Sequence, residues 1–254
     1  MGAMRIADKV VYLSRAGWGA SSVYPRRGYI VPKGRRTHLI QHHIVAVDND
    51  ATRNIWETEA EVKQMMRRLQ TIRPDLGLDV PYNYVFFGMA NGDLYVCEGR
   101  GEDRTGAHTK GHNTEGIGCA WAGNFEDFPF ARRYIRPASA FFGWLKYERG
   151  MANLGTVHPP DRDTFGHRDF ATTACPGGHL YTQIRSFTFY REEDDDDMKP
   201  YLAWDINKQR VYYVGGWGAA WIVDAADVAK LKELHGITDL VPLHASTLAS
   251  LNRG

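Results

Sequence analysis

The sequence predicts an α/β fold: a mixed central β-sheet flanked by helices, with a small α+β appendage at its C-terminal end. Three observations carry that reading. Over residues 1–190, strand-like apolar runs alternate with helical patterns, the signature of a layered domain. Residues 191–197 (Arg-Glu-Glu-Asp-Asp-Asp-Asp) hold one base and six acids, the sharpest break in composition along the chain. A fresh strand pattern begins directly after it. The expected organisation is a first domain over 1–190, an acidic linker over 191–199 and a small module over 200–254.

Each element has its own signal. Leu39–Val47 is an apolar run of strand length, and it contains His42 and His43. Thr58-Glu59-Ala60-Glu61 is a capping box, and Val62, Met65, Met66 and Leu69 then supply one helical face. Tyr84–Phe87 and Leu94–Cys97 read as strands joined around Asn91-Gly92, a strong hairpin turn. Gly116–Gly123 is a further strand, and a helix is expected from about Pro137 to Met151, with proline near its first turn. Gly178–Phe187 reads as the last helix of the body. In the appendage, Tyr201–Asp205 and Arg210–Val214 flank a turn at 206–209, and Asp224–His235 has the spacing of a short helix. About 55 residues make a small core, so this piece is expected to dock on the first domain.

Composition narrows the classes. Hydrophobic content of 43% and charged content of 24% are ordinary for a globular protein. No apolar stretch approaches the roughly 20 residues that span a bilayer, so no membrane partner is expected. Met1–Val11 carries charges where a secretory leader would be apolar, and the expectation is synthesis and folding in the cytoplasm. Three cysteines make no disulfide framework and suit a reducing compartment; Cys97 and Cys119 read as core residues. Residues 1–190 hold 24 bases against 19 acids, a net charge of +5 that suits an anionic polymer. No basic cluster interleaved with aromatics points to nucleic acid. Nothing signals a dimer, and a monomer is the default.

The most informative segment is His167-Arg168-Asp169-Phe170-Ala171-Thr172-Thr173-Ala174-Cys175, followed by Pro176-Gly177. A histidine and a cysteine eight positions apart on an irregular loop can turn toward one metal ion, and imidazole with thiolate suits zinc (Zn2+). A third ligand must come from elsewhere, and Gln41-His42-His43 is the natural donor. An imidazole in a buried strand needs a partner. The bland alternative is a small buried cysteine packed beside a proline.

At these residues the chain resembles the type 2 N-acetylmuramoyl-L-alanine amidases, which share a fold with the peptidoglycan recognition proteins and several phage endolysins. The resemblance covers about residues 12–187 and rests on motifs in order. These are Ser14-Arg15-Ala16-Gly17-Trp18-Gly19-Ala20; His42-His43; Pro81-Tyr82-Asn83-Tyr84; Asn91-Gly92; and Cys97-Glu98-Gly99-Arg100-Gly101. Gly106-Ala107-His108, Gly116-Ile117-Gly118 and the loop from Gly166 to Gly177 complete the set.

The resemblance implies one zinc ion held by His42, His167 and Cys175. Successive strand residues face opposite ways, so His42 and His43 cannot both aim at one ion; His43 then supports the sheet or borders the substrate. Tyr82 matches the family's catalytic tyrosine, and Thr173 matches a position held by Thr or Lys. His108 falls where relatives border the substrate groove. Pro81 departs from the glycine many relatives have. Asp169 is open between a partner for an imidazole and an exposed loop acid, Tyr82 between catalysis and packing, and Thr173 between catalysis and a plain loop hydroxyl.

The implied activity is hydrolysis of the amide between N-acetylmuramic acid and L-alanine in bacterial peptidoglycan. An endolysin of a phage or prophage is expected, reaching the wall after release from the cytoplasm. The appendage would bind wall through Trp204, Tyr212, Tyr213, Trp217 and Trp221, although such aromatics also make a small core. The alternatives are a recognition module that binds peptidoglycan without cleaving it, which typically lacks the cysteine, and an intracellular amidase that recycles muropeptides.

Overall fold

Alternation along single strands decides the architecture. In Tyr84–Gly88, Tyr84 and Phe86 join one apolar cluster while Val85 and Phe87 join another. A strand buried on both faces needs a layer on each side. The computed structural model describes residues 3–45, 50–156 and 164–191, together with the strand backbone at 201–205, 210–215, 218–222 and 240–242. It divides into two units, Met1–Tyr190 and Arg191–Gly254.

In chain order the first unit comprises β1 (Ala3–Ala7), β2 (Val10–Leu13), α1 (Arg15–Trp18), β3 (His38–Ile44), α2 (Glu59–Leu69), β4 (Tyr84–Gly88), β5 (Leu94–Glu98), β6 (Gly116–Ala122), α3 (Ile135–Tyr147), β7 (Thr164–Gly166) and α4 (Gly178–Tyr181). The seven strands form one mixed sheet in the order β1-β2-β5-β4-β6-β3-β7. β4 and β5 are the expected antiparallel hairpin, Tyr84 opposite Glu98 and Gly88 opposite Leu94. β3 lies between two parallel neighbours, β6 and β7. One face of the sheet packs Phe86, Ile117 and Trp121 on Phe141, Phe142 and Leu145 of α3. The other packs Val85, Phe87 and Ala120 with Trp18, Trp56 and the buried stripe Val62, Met65, Met66 and Leu69 of α2.

The box at the start of α2 closes in both directions: the Glu61 N–H donates to Thr58 Oγ1 at 3.3 Å, and the Thr58 N–H donates to Glu61 Oε2 at 3.0 Å. Several boundaries differ from expectation. The strand read as Leu39–Val47 runs His38–Ile44 and gives way to a turn at Val45. α3 starts two residues before Pro137, whose missing N–H falls among first-turn donors that have no intrahelical acceptor. It ends at Tyr147, where the Glu148 and Arg149 N–H groups both donate to the Trp144 carbonyl. Gly178–Phe187 is not one helix. α4 stops after one turn, and Ile184–Ser186 is a separate tight turn closed by Phe187 N–H on the Ile184 carbonyl. Leu180, Ile184 and Phe187 are buried all the same, which is why the segment has a helical pattern. β1, β2 and β7 are strands that the pattern did not announce.

The second unit is a four-stranded sheet of β8 (Tyr201–Asp205), β9 (Arg210–Gly215), β10 (Gly218–Ile222) and β11 (Leu240–Pro242), in the order β10-β9-β8-β11. β8 and β9 pair antiparallel from Tyr201 opposite Val214 to Asp205 opposite Arg210, at the expected hairpin. β11 joins β8 in parallel. The acidic run at 192–199, the turn at 206–209, Trp217 and the helix expected at 224–235 lie outside the described residues. No helix among the described residues is long and apolar enough to cross a membrane.

Candidate metal centre

The pairing of β3 with β7 brings two histidines level. Gln41 stands opposite Gly166, so the residues that follow are His42 on β3 and His167 just past the end of β7. Their rings lie 4.6 Å apart between centroids. After His167 the chain folds back on itself. The Phe170 and Ala171 N–H groups donate to the His167 carbonyl, and the Arg168 N–H donates to the Cys175 carbonyl at 3.0 Å. Asp169 pins this loop, accepting from the Gly166 N–H at 2.8 Å and the Tyr181 hydroxyl at 2.6 Å.

Cys175 thereby returns to β3. Its Sγ lies 3.6 Å from His42 Nδ1 and accepts the His43 N–H at 3.4 Å. One ligand atom from each of His42, His167 and Cys175 fits within a mutual separation of 4.8 Å. A tetrahedral zinc with Zn–N near 2.0 Å and Zn–S near 2.3 Å would hold nitrogen and sulfur about 3.5 Å apart. The His42–Cys175 separation of 3.6 Å is close to that, and the donor set fits the ion in its chemistry.

The electrostatics agree. His42 is held well below the usual imidazole range, first by burial and then by the neighbouring His108, His167 and His43. His167 is lowered by burial. Both rings are therefore neutral at neutral pH, with lone pairs to give. Burial pushes the Cys175 thiol up to about 11, partly offset by the His43 N–H and the Arg168 charge. The Arg168 charge and the His43 N–H do not outweigh burial, so the thiol beside two neutral imidazoles keeps its proton, and a metal ion would supply the positive charge that favours its ionised form.

Tyr82 borders the cluster, its ring centroid 5.2 Å from that of His42. Burial raises its hydroxyl above the usual range, as does the nearby Cys175, so it remains a donor across neutral pH. Thr173 Oγ1 accepts the Cys175 N–H at 3.2 Å, an arrangement that leaves its own hydrogen to donate. His43 turns away. Leu39 belongs to the α3-side core and Ile44 to the α2-side core, so alternation places His42 on the α2 face and His43 on the α3 face. Its ring is lowered by burial and sits in the field of Glu126, Arg168 and Asp127; its backbone N–H is what reaches Cys175.

His108 is buried, at 8% exposure. Its Nδ1 lies 3.1 Å from His42 Nε2, and burial holds it well below the usual imidazole range, with Arg36 and His167 adding to the effect. Two features had no sequence reading of their own. Thr109, also buried, sets Oγ1 3.0 Å from His108 Nδ1 and 3.4 Å from His42 Nε2. Arg36 is wholly buried and gives its guanidinium to five backbone carbonyls: Glu102, Asn113, Thr114 and Gly116 at 2.9–3.0 Å, and Arg104. Those carbonyls bracket the loop that carries His108 and Thr109.

No protein-family model matches the sequence. Among curated proteins it is similar to the N-acetylmuramoyl-L-alanine amidase of Mus musculus, 26% identical over 191 residues, or 71% of this chain and 31% of that protein. The chain thus spans about a third of that relative. It is also similar to peptidoglycan-recognition protein SC2 of Drosophila melanogaster, 26% identical over 184 residues, or 72% of this chain and 89% of that one. Among solved structures, wild-type Drosophila PGRP-LB superposes with a TM-score of 0.56 at 22% identity, covering 71% of this chain and 96% of that one. The ectodomain complex of PGRP-LCa and PGRP-LCx bound to tracheal cytotoxin gives 0.53 at 25% identity, covering 68% and 94%. The homologues of this chain are N-acetylmuramoyl-L-alanine amidases and peptidoglycan-recognition proteins, and its first unit has their fold.

Proposed function

We propose that the first unit is a zinc-dependent N-acetylmuramoyl-L-alanine amidase. It hydrolyses the amide between N-acetylmuramic acid and L-alanine in bacterial peptidoglycan, acting as a monomer in an endolysin-type role. The observation that carries the reading is the cluster of His42, His167 and Cys175 with Tyr82 against His42. The names of the homologues support the same substrate class.

Zinc held by these three residues would supply Lewis acidity toward the scissile carbonyl and a lowered pKa for water. The remaining work falls to the chain. His42 and His167 present neutral nitrogens because burial keeps them unprotonated. Tyr82 keeps its proton for the same reason and donates to the oxygen on which charge develops. Thr173, anchored by the Cys175 N–H, offers a second neutral donor. The sheet behind His42 excludes water from its inner side, since Ile40 and Ala120 are fully buried.

Binding without cleavage is the competing reading, favoured by those homologues named as recognition proteins. Proteins of that kind typically lack a metal ligand, and the intact cluster weighs against it. The second unit is assigned a wall-binding role, on the strength of the aromatics in its sequence.

The test is digestion of purified peptidoglycan with and without a chelator, followed by mass spectrometry of the soluble products. Stem peptides beginning with L-alanine, lost on chelation and restored by zinc, support the amidase. Protein that sediments with undigested wall and releases no stems refutes it.

A further inference from the structure

We propose that His108 and Thr109 serve as the outer support of His42, accepting the proton on its Nε2 and so holding its Nδ1 lone pair toward Cys175 and His167. The proposal rests on reading His42, His167 and Cys175 as a zinc site. It gives His108 a positioning role in place of contact with substrate.

Donor and acceptor arithmetic leads there. The Nδ1 of His42 is the nitrogen facing Cys175 Sγ, at 3.6 Å, so it is the atom that would bind the ion. A ligating nitrogen carries no proton, and a neutral imidazole then keeps its one hydrogen on the other nitrogen. That hydrogen, on Nε2, sits at a residue only 1% exposed and needs an acceptor. Two are in range: His108 Nδ1 at 3.1 Å and Thr109 Oγ1 at 3.4 Å.

Either path ends at the same atom. Nε2–H can donate directly to His108 Nδ1. It can also donate to Thr109 Oγ1, whose hydroxyl then donates to His108 Nδ1 at 3.0 Å. In both cases His108 Nδ1 is the final acceptor, which fixes the tautomer of His108 and the orientation of His42. Metal-binding histidines commonly have such a partner on the second nitrogen.

The surroundings hold His108 to this task. A Cβ on Gly118 would come within 2.3 Å of its Cδ2, and one on Gly106 within 2.2 Å, so the ring occupies space that only two glycines leave open. The side chain of Asn113 accepts the N–H of His108 at 2.9 Å and that of Thr109 at 3.1 Å, fixing both residues from the backbone. The hydrogen bonds of the ring run through Nδ1, to His42 and Thr109. With Nδ1 accepting, the one hydrogen of His108 sits on Nε2, which is buried and has no hydrogen-bond partner among the described residues.

The test is zinc affinity, read by competition with a chromogenic chelator on the full chain. His108→Ala should weaken zinc binding about 10- to 100-fold. His108→Asn should recover most of the loss, because its amide oxygen reaches the place of Nδ1. His108→Gln, whose amide corresponds to Nε2, should not. Thr109→Val should give a smaller loss that Thr109→Ser reverses. Wild-type affinity in His108→Ala, to within about twofold, or rescue by Gln equal to that by Asn, would overturn the proposal. Thermal melts of the metal-free proteins report folding; if the alanine variant is unfolded, the Asn and Gln pair decides the question. A wild type that takes up no zinc, or a Cys175→Ser variant that keeps it, sinks the metal site itself and this proposal with it. Zinc uptake that needs Cys175 but is indifferent to His108 sinks the proposal alone.

Discussion

His42 Nδ1 and Cys175 Sγ stand 3.6 Å apart although 133 positions separate them in the chain. In the metal-free protein the sulfur is a thiol, pushed up to about 11 by burial, while burial and neighbouring rings hold the imidazole well below its usual range. One partner keeps its proton at neutral pH and the other has already lost it.

That asymmetry sets the pH dependence of metal binding. Zinc needs the thiolate, so each ion bound at neutral pH should expel about one proton, from Cys175 and not from the histidines. Affinity should climb as pH rises toward about 11, where the free thiol ionises unaided. Calorimetric titrations in two buffers of different ionisation enthalpy measure the proton count. A count of zero at neutral pH would contradict the assignment. Cys175→Ser should lose most bound zinc and, with it, wall digestion.

Tyr82→Phe separates chemistry from metal. The ring packs on His42 and the phenylalanine keeps that contact, so zinc content should match the wild type. Loss of one donor to a developing oxyanion costs on the order of 100-fold in rate. Because burial holds the hydroxyl protonated well above neutrality, the activity of the wild type should not fall on the alkaline side through Tyr82.

Gly118→Ala tests the packing behind His108. The added methyl meets the imidazole at 2.3 Å, and the ring has to move. Overpacking of this kind costs about 1–3 kcal/mol, to be read by urea unfolding of the zinc-free protein. An unchanged midpoint would mean the ring shifts freely.

Arg36→Met leaves five carbonyl groups without their donor. With a cost of about 1–3 kcal/mol for each buried group left unsatisfied, partly relieved by relaxation, a loss of at least about 3 kcal/mol is expected in the same measurement. Arg36→Lys, with three donors for five acceptors, should fall between the two proteins.

What could be read from the residues follows the reach of each signal. α2 was visible in full because its capping box and its stripe of Val62, Met65, Met66 and Leu69 lie within a dozen consecutive residues. The β4–β5 hairpin was visible because Asn91-Gly92 marks its turn. β7 was not, since Thr164–Gly166 is too short to show a period and gains its pairing only from β3. Arg36, in the basic run Lys33-Gly34-Arg35-Arg36, looks like surface charge, and its burial depends on carbonyls some 66 to 80 residues away. Thr109 is silent for the same reason: a threonine after a histidine says nothing until β3 is alongside. The choice of His42 over His43 comes from the resemblance, strand alternation saying only that the two cannot share one ion; the cluster with His167 and Cys175 takes in His42 and leaves out His43.

The place of β3 in the sheet has a consequence for assembly. Its two flanking strands come from residues 116–122 and 164–166, so the polypeptide must be ordered through Cys175 before all three ligands meet. An ion captured there would tie β3 to the loop that follows the edge strand β7. Its release on chelation should loosen the edge formed by β7 and the loop beyond it first, leaving the β2-β5-β4 side of the molecule in place, and amide hydrogen exchange would display that order of opening.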